Sequence, residues 1–443
     1  MQFRIAQSLV AGVASSLVFV IAPPGRAEIT KVTVTSAKDI GPFGGKAYRE
    51  IDATMEGRAP GGPYSVPVTL AFPTSPADHS GVAVVDIVNT ATIGRAQWVI
   101  GGRALPLARI HMGDAFLFGG GRSYVAPIWD KAAIEALKTG SIAAPADGYT
   151  IIGDAGELAR NSARYMADGP PPVKTIIAYG FSQTGELLRG WHADKYNTRS
   201  GRPAFDGSLV GGAGGSCRDL IVQKGKRCPG AVADGGKVII FATETDVESG
   251  GFEERADRPD YRVIEVAGVS HIPASAADFR QSGMPEQSPV DFGPALRAAL
   301  VNMEAWIEGT EPPPNVLIEL TDDPVRDVQG SPYRKAKRDA DGNALGGVRL
   351  PHLPRTLENG STAGAPVGSN NGLAWKHENG NFIFFISGSF EPFPPEKLKT
   401  LYPNQAAYVA SVAAAADELV RLRQILPEDA RGYVLAAEAV KLD

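Results

Sequence analysis

Three kinds of side chain that together can transfer an acyl group occur in this chain at comparable places, each just past a run of strand-forming residues. Ser182 follows "VKTIIAYG", Asp246 follows "KVIIFAT" after Glu244 and Thr245, and His271 follows "YRVIEVAGVS". A serine hydroxyl is a weak nucleophile until a base takes its proton, and an imidazole oriented by a carboxylate supplies that base. Where such groups stand at the carboxyl ends of strands in one sheet, they follow the chain order serine, acid, histidine. This sequence has that order.

Each member also has a plainer reading. The stretch "TIIAYGFSQTGELLRG" runs five strand-favouring residues into Gly-Phe-Ser-Gln-Thr-Gly and then into helix formers, which suits a serine held out on a tight strand-to-helix turn. A serine that merely caps the helix leaves the same local pattern. The acid and histidine downstream favour the first reading, and they raise His271 above a structural histidine in a strand-end turn. Asp246 has the better offset from its strand, while Glu244 stands as an alternative acid or as a buttress of the loop. His192 lies on the helix after Ser182 and is expected to point away from the strand ends. His79, His111, His352 and His377 fall in segments that read as loop or turn, and so does Gly214-Gly215-Ser216, where no helical pattern follows the serine.

The intermediate of acyl transfer carries an oxyanion that needs N–H donors. The backbone N–H of Gln183 is the natural first one, coming just after the nucleophile at a helix N-terminus. The second is expected from the loop after "GVAVVDIVN", at Thr90 or Ala91, with Asn89 bracing the loop. Trp98 and Phe181 are candidates for apolar pocket lining, though such aromatics more often belong to a core.

The elements that must hold these groups are legible in outline. From Glu28 to about Asn89 the pattern is β-rich with partial alternation, as at sheet edges, and then gives way to solid apolar runs alternating with helical stretches. "GELARNSARYMADG", "SQTGELLRGWHADKY" and "SPVDFGPALRAALVNMEAWIEGTEPPP" read as helices between buried strands. That alternation implies an α/β fold with a mostly parallel central sheet covered by helices on both faces. Beyond Pro314 a Gly- and Pro-rich segment is expected to run over the surface, and "NQAAYVASVAAAADELVRLRQIL" is expected to be a helix docking its face from Tyr408 to Val420 on the main body.

Residues 1–27 read as a secretory signal: Arg4, an apolar run from Ile5 to Ala22, and a small-x-small site at Gly25-Arg26-Ala27. The mature chain, 28–443, is expected to form one exported domain with no later membrane span. Loss of Arg4 and Arg26 with the leader takes the formal charge from -5 to -7. Mild acidity without a basic run argues against nucleic acid as a partner. Cys217 and Cys228, a close pair in an oxidising compartment, are expected to form a disulfide across a surface loop that could cap the pocket. No metal site is expected from so few cysteines and scattered histidines.

With these residues in place the chain resembles a family of bacterial, exported α/β-hydrolase-domain proteins. The stretches that carry the resemblance are "GFSQTGELLR", "TETDV", "RPDYRVIEVAGVSH", "RDADGNALGGVRLP", "LYPNQAAYVA" and "LPEDARGYV", spread over most of residues 28–443. The resemblance implies one α/β-hydrolase fold with an elaborated C-terminal segment, a serine-hydrolase mechanism using Ser182, His271 and a carboxylate of "TETD", and no cofactor. One departure stands out. In Gly-x-Ser-x-Gly the second glycine lets the helix press against the strand, but Thr184 holds that place and glycine comes next, at Gly185, which predicts a slightly looser turn. The functional expectation is a carboxyl-ester hydrolase acting on a small-molecule ester. An acyltransferase with the same triad and a catalytically silent binding protein on this scaffold are its rivals.

Overall fold

The computed structural model describes residues 28–90, 104–198, 201–213, 216–219, 224–227, 234–250, 255–273, 282–326, 332–374 and 386–440. The expected leader, Ala91, Trp98, Cys228 and His377 lie outside these residues.

The chain enters through three long antiparallel strands, β1 (Glu28–Phe43), β2 (Lys46–Ala59) and β3 (Gly62–Pro73), followed by β4 (Val82–Asp86), β5 (Ser123–Pro127), β6 (Thr175–Phe181) and β7 (Gly207–Gly211). A separate hairpin of β8 (Ser216–Asp219) and β9 (Lys224–Arg227) precedes β10 (Lys237–Thr243) and β11 (Tyr261–Val266). The main sheet has the order β1-β2-β3-β5-β4-β6-β7-β10-β11. Pairing is antiparallel as far as β5 and parallel from β5 to β11. The exchange of β4 and β5 puts β4 directly beside β6, so the loop leaving β4 opens next to the turn leaving β6.

Residue type explains this division. β1 is almost wholly exposed and alternates Thr, Lys, Ser and Asp with apolar residues, as an edge strand does. All seven residues of β6, Thr-Ile-Ile-Ala-Tyr-Gly-Phe, are buried, so both faces of the sheet are covered there. The cover comes from α1 (Leu107–Met112), α2 (Asp114–Gly119), α3 (Lys131–Leu137), α4 (Asp147–Arg160), α5 (Gln183–Ala193), α6 (Glu244–Gly250) and α7 (Gly293–Ile307). Along α7, Leu296, Ala299, Leu300 and Met303 are buried at helical spacing, and Met303 fills the space that a side chain at Gly207 of β7 would need.

α4 begins at Asp147, well before the expected start near Gly156, because Tyr149, Ile151, Ile152, Ala155, Leu158 and Ala159 form one buried face; only a single 3-10 turn, Ser162–Arg164, follows. Ser216 opens β8, not the expected loop. The β8–β9 register places Cys217 opposite Lys226, and the expected disulfide to Cys228 lies outside the described residues.

The segment after residue 315 folds back on the sheet. Isolated bridges pair Ile264 with Val316 and Val266 with Val348, so chain from beyond the last strand covers the β11 edge. Three helices end the chain: α8 (Pro395–Leu401), α9 (Gln405–Arg421) and α10 (Pro427–Ala439). α9 buries Tyr408, Val412, Ala415, Ala416 and Leu419, and of these Ala416 and Leu419 join the main core. Arg297 of α7 binds Asp429 of α10, and Asn302 donates to the Arg423 carbonyl at 2.8 Å. Among the described residues no helix is long and apolar enough to cross a membrane.

Candidate active site

Ser182 stands between β6 and α5 with φ 60° and ψ -121°. A non-glycine residue there costs about 1–3 kcal/mol and persists only when its surroundings fix it. They do so closely. The Ser182 N–H donates to the Gly211 carbonyl at 3.0 Å, and the Glu186 N–H returns to the Ser182 carbonyl at 2.9 Å. A Cβ at Gly180 would lie 2.5 Å from the Thr184 carbonyl oxygen, and one at Gly185 would lie 2.1 Å from that of Gly211. These two glycines let α5 cross β6 and β7 at contact distance. Thr184 does not loosen the turn: its hydroxyl accepts the Phe181 N–H at 2.9 Å and donates to the Phe181 carbonyl at 3.1 Å.

Asp246 and His271 leave the ends of β10 and β11, two and three strands away from β6, and converge on this turn. His271 Nε2 lies 2.9 Å from Ser182 Oγ, and His271 Nδ1 lies 2.7 Å from Asp246 Oδ1. The other carboxylate oxygen of Asp246 accepts the Thr243 N–H at 2.9 Å and the Thr243 hydroxyl at 2.8 Å, which fixes the acid's orientation. The backbone of His271 is fixed as well, its N–H donating to Thr245 Oγ1 at 2.8 Å. Burial by itself would lower the His271 pKa, but the charge and hydrogen bond of Asp246, with the charge of Glu186, outweigh it and raise the imidazole above its ordinary value near 6.5.

The sequence left the acid open between two carboxylates, and here they face opposite ways. Glu244 turns from His271 and accepts Gly268 N–H at 2.7 Å, Gly372 N–H at 2.9 Å and Arg338 Nη2 at 2.6 Å. It is fully buried, and Arg338 also reaches Glu248 at 3.2 Å. Thr245 completes the clasp, donating to the Gly372 carbonyl at 2.6 Å. The acid loop, the histidine loop and residues 338–372 of the C-terminal segment are thus tied together at one buried point.

On the other side, Asn89 donates to the Phe181 carbonyl at 3.0 Å, as a brace of the β4 loop would. The Thr90 amide, expected as an oxyanion donor, is engaged elsewhere: it donates to Gln183 Oε1 at 3.2 Å, and the Thr90 hydroxyl does so at 3.3 Å. The Gln183 side chain therefore locks the β4 loop to the start of α5, a role its sequence position did not reveal.

The remaining histidines divide sharply. His192 points away from the strand ends, as expected, and pairs with Ser208 Oγ at 2.9 Å in the core. His79, at the end of a short 3-10 turn, bonds the Pro73 carbonyl, and His352 packs on Tyr433. His111, expected in a loop, lies on α1 beside the site. Its ring packs edge-on against Phe181 at 4.7 Å and Phe292 at 5.0 Å, with Nδ1 2.6 Å from the Tyr179 hydroxyl. Burial, then the charge of His271, lower its pKa to about 3. Phe181 also meets the His271 ring at 5.1 Å and stacks on Phe292 at 5.4 Å; at 3% exposed it is an aromatic support of the site more than an open pocket wall. At the end of β4, Asp86 accepts from Tyr124 and from the Ala108 N–H, both at 2.9 Å, and burial pushes its carboxyl up to about 7. No local motif marks His111 or Asp86; they become visible only when α1 packs beside β4 and β6. Among the described residues no group of three or more His, Cys, Asp or Glu side chains could hold a metal ion.

Comparison with known proteins adds a family. Residues 42–435 match a family model described as "Alpha/beta hydrolase domain". No curated protein matches the sequence. Similar solved structures include the rice cell wall degrading esterase LipA from Xanthomonas oryzae, 15% identical over 42% of this chain and 51% of that one, with TM-score 0.29. A CE15 glucuronoyl esterase from Teredinibacter turnerae is 15% identical over 50% of this chain and 62% of that one, with TM-score 0.28. A putative dienelactone hydrolase from Klebsiella pneumoniae is 14% identical over 56% of this chain and 94% of that one, with TM-score 0.33. The chain thus spans about half the length of the Xanthomonas esterase it matches.

Proposed function

The chain belongs to the alpha/beta hydrolase domain family, and on that premise we propose that it is an exported serine hydrolase cleaving carboxylic esters through Ser182, His271 and Asp246. One observation carries the reading: the unbroken chain from Ser182 Oγ to His271 Nε2 at 2.9 Å and from Nδ1 to Asp246 Oδ1 at 2.7 Å. Ser182 attacks the ester carbonyl while His271 takes the hydroxyl proton. The imidazolium so formed is stabilised by Asp246 and returns the proton to the leaving alcohol. A water, deprotonated by the same imidazole, then attacks the acyl-serine and releases the carboxylic acid. Gln183 N–H is one oxyanion donor in this scheme. With the Thr90 amide engaged by Gln183 Oε1, the second role falls to the neighbouring Ala91 N–H. Each such donor is worth about 10²–10³ in kcat.

Residues 1–27 act as the export signal in this reading, 28–443 form one domain with the segment from about 315 built into it, and Cys217 and Cys228 pair. The common core of β11 with Ile318, Val348 and Leu350 supports the single domain. The test is hydrolysis of a short p-nitrophenyl ester by mature protein and by Ser182→Ala. Turnover in the wild type that vanishes in the variant, with the melting temperature unchanged, is the expected result. Equal turnover by both proteins would end the proposal. A fluorophosphonate that labels Ser182 distinguishes an enzyme from a silent binding protein, and product analysis with an added alcohol distinguishes hydrolysis from acyl transfer to that alcohol.

A further inference from the structure

Behind the clasp that holds the acid loop lies a cavity of about 460 Å³, set between residues 338–342 and the hairpin Gly368–Asn371/Ser389–Pro392. Its volume is in the range of small-molecule sites. Its lining is polar and of mixed sign: Arg338 and Lys397 are cationic, Asp341 and Glu391 anionic, Ser369 and Asn371 neutral, with Phe393 an aromatic member.

Both cations are already matched. Arg338 is bound by Glu244 and Glu248, and Lys397 forms an ion pair with Asp341. Lys397 additionally rests 3.7 Å from the centre of the Phe393 ring. An ionic ligand would have to break one of these pairs or enter uncompensated, at the cost of a desolvated charge. A neutral ligand with several hydroxyls meets no such cost. Paired carboxylates, guanidinium and ammonium groups still offer spare lone pairs and N–H groups, and the Asn and Ser side chains both donate and accept.

We propose that this cavity binds a neutral, hydroxyl-rich small molecule of about mono- to disaccharide size, and that its occupancy is felt at His271. The route is short and runs through one ion pair, one peptide link and two hydrogen bonds. Arg338, a wall of the cavity, is the ion partner of Glu244, and Asn371, another wall, precedes Gly372, whose carbonyl holds Thr245 and through it the His271 N–H.

The experiment uses full-length mature Ser182→Ala protein, so that it stands whether or not the serine is a nucleophile. Isothermal titration is run with xylose, galactose, xylobiose and cellobiose, and with sodium acetate and inorganic phosphate at matched ionic strength. At least one of the four sugars is expected to bind, with neither anion binding. Affinity is expected to fall about tenfold or more in Asn371→Ala and in Lys397→Met, two lining residues whose side chains lie outside the Glu244 clasp. In active protein, the same sugar is expected to change kcat for a p-nitrophenyl ester, and the change is expected to disappear in Lys397→Met. Failure of all four sugars to bind at their solubility limits, binding of the anions instead, or binding untouched by both variants would each overturn the proposal.

Discussion

The two halves of the candidate site are held by different means. The serine turn is fixed mainly from within, by contacts among Gly180, Phe181, Thr184, Gly185 and Gly211 in about one βαβ unit, with Asn89 and Thr90 of the β4 loop joining it at Phe181 and Gln183. The acid and histidine are held from afar, by Glu244 and Thr245 reaching Arg338 and Gly372, some ninety to one hundred and thirty residues on. A local device resists distant perturbation. A long-range clasp makes the catalytic geometry depend on whether the C-terminal segment is docked.

Substitutions can test that contrast, and the largest effects should come from the reacting groups. Ser182→Ala is expected to lower kcat by about 10⁴-fold or more, with little change in melting temperature. Asp246→Asn should cost nearly as much, about 10⁴-fold in kcat, since the imidazole loses its orienting carboxylate. If Glu244→Gln were equally damaging to kcat at a temperature where it remains folded, the division of labour within "TETD" would be wrong.

The next effects separate the two halves by stability. Gly185→Ala forces a Cβ to within 2.1 Å of the Gly211 carbonyl and should cost roughly 2–3 kcal/mol with the turn itself distorted. Glu244→Gln should cost roughly 2 kcal/mol, because Arg338 loses a charged partner in a largely buried place. Its unfolding, followed by hydrogen exchange, should begin in residues 332–374, whereas Gly185→Ala should loosen α5 first. Identical exchange patterns in the two variants would remove the distinction.

A smaller and finer test is pH. His271 must be neutral to accept the serine proton, so activity is lost as pH falls through its pKa. Because that pKa is raised above 6.5 chiefly by Asp246 acting against burial, the acid limb of kcat/KM is expected above 6.5. In the residual activity of Asp246→Asn the limb should move to lower pH, burial then acting with only Glu186 against it. A limb that stays in place would detach the histidine from the acid.

Much of this was legible in the chain. Solid apolar runs such as "VKTIIAYG" and "KVIIFAT", rich in β-branched residues and bounded by glycine or polar residues, read as strands buried on both faces, and the glycines around Ser182 signal a tight turn. The order of serine, acid and histidine pointed to acyl transfer as the chemistry to test. The C-terminal segment was harder, since its Gly- and Pro-rich stretch carries no period, yet Arg338, Asn343 and Gly372 are deeply engaged. The first turns of α4 are hard to see in the sequence because glycines at 148, 153 and 156 mask the buried face that tertiary packing selects.

The sequence by itself determined which elements form and in what order the reactive side chains follow them, because backbone period and turn chemistry are written over a few neighbouring residues. Only the folded chain decided which carboxylate of "TETD" meets the imidazole, where the Thr90 amide points, and that His111 stands beside Phe181. Those outcomes hang on contacts between residues far apart in the chain, and a side chain chooses among nearly equal partners only when packing has fixed where each of them lies.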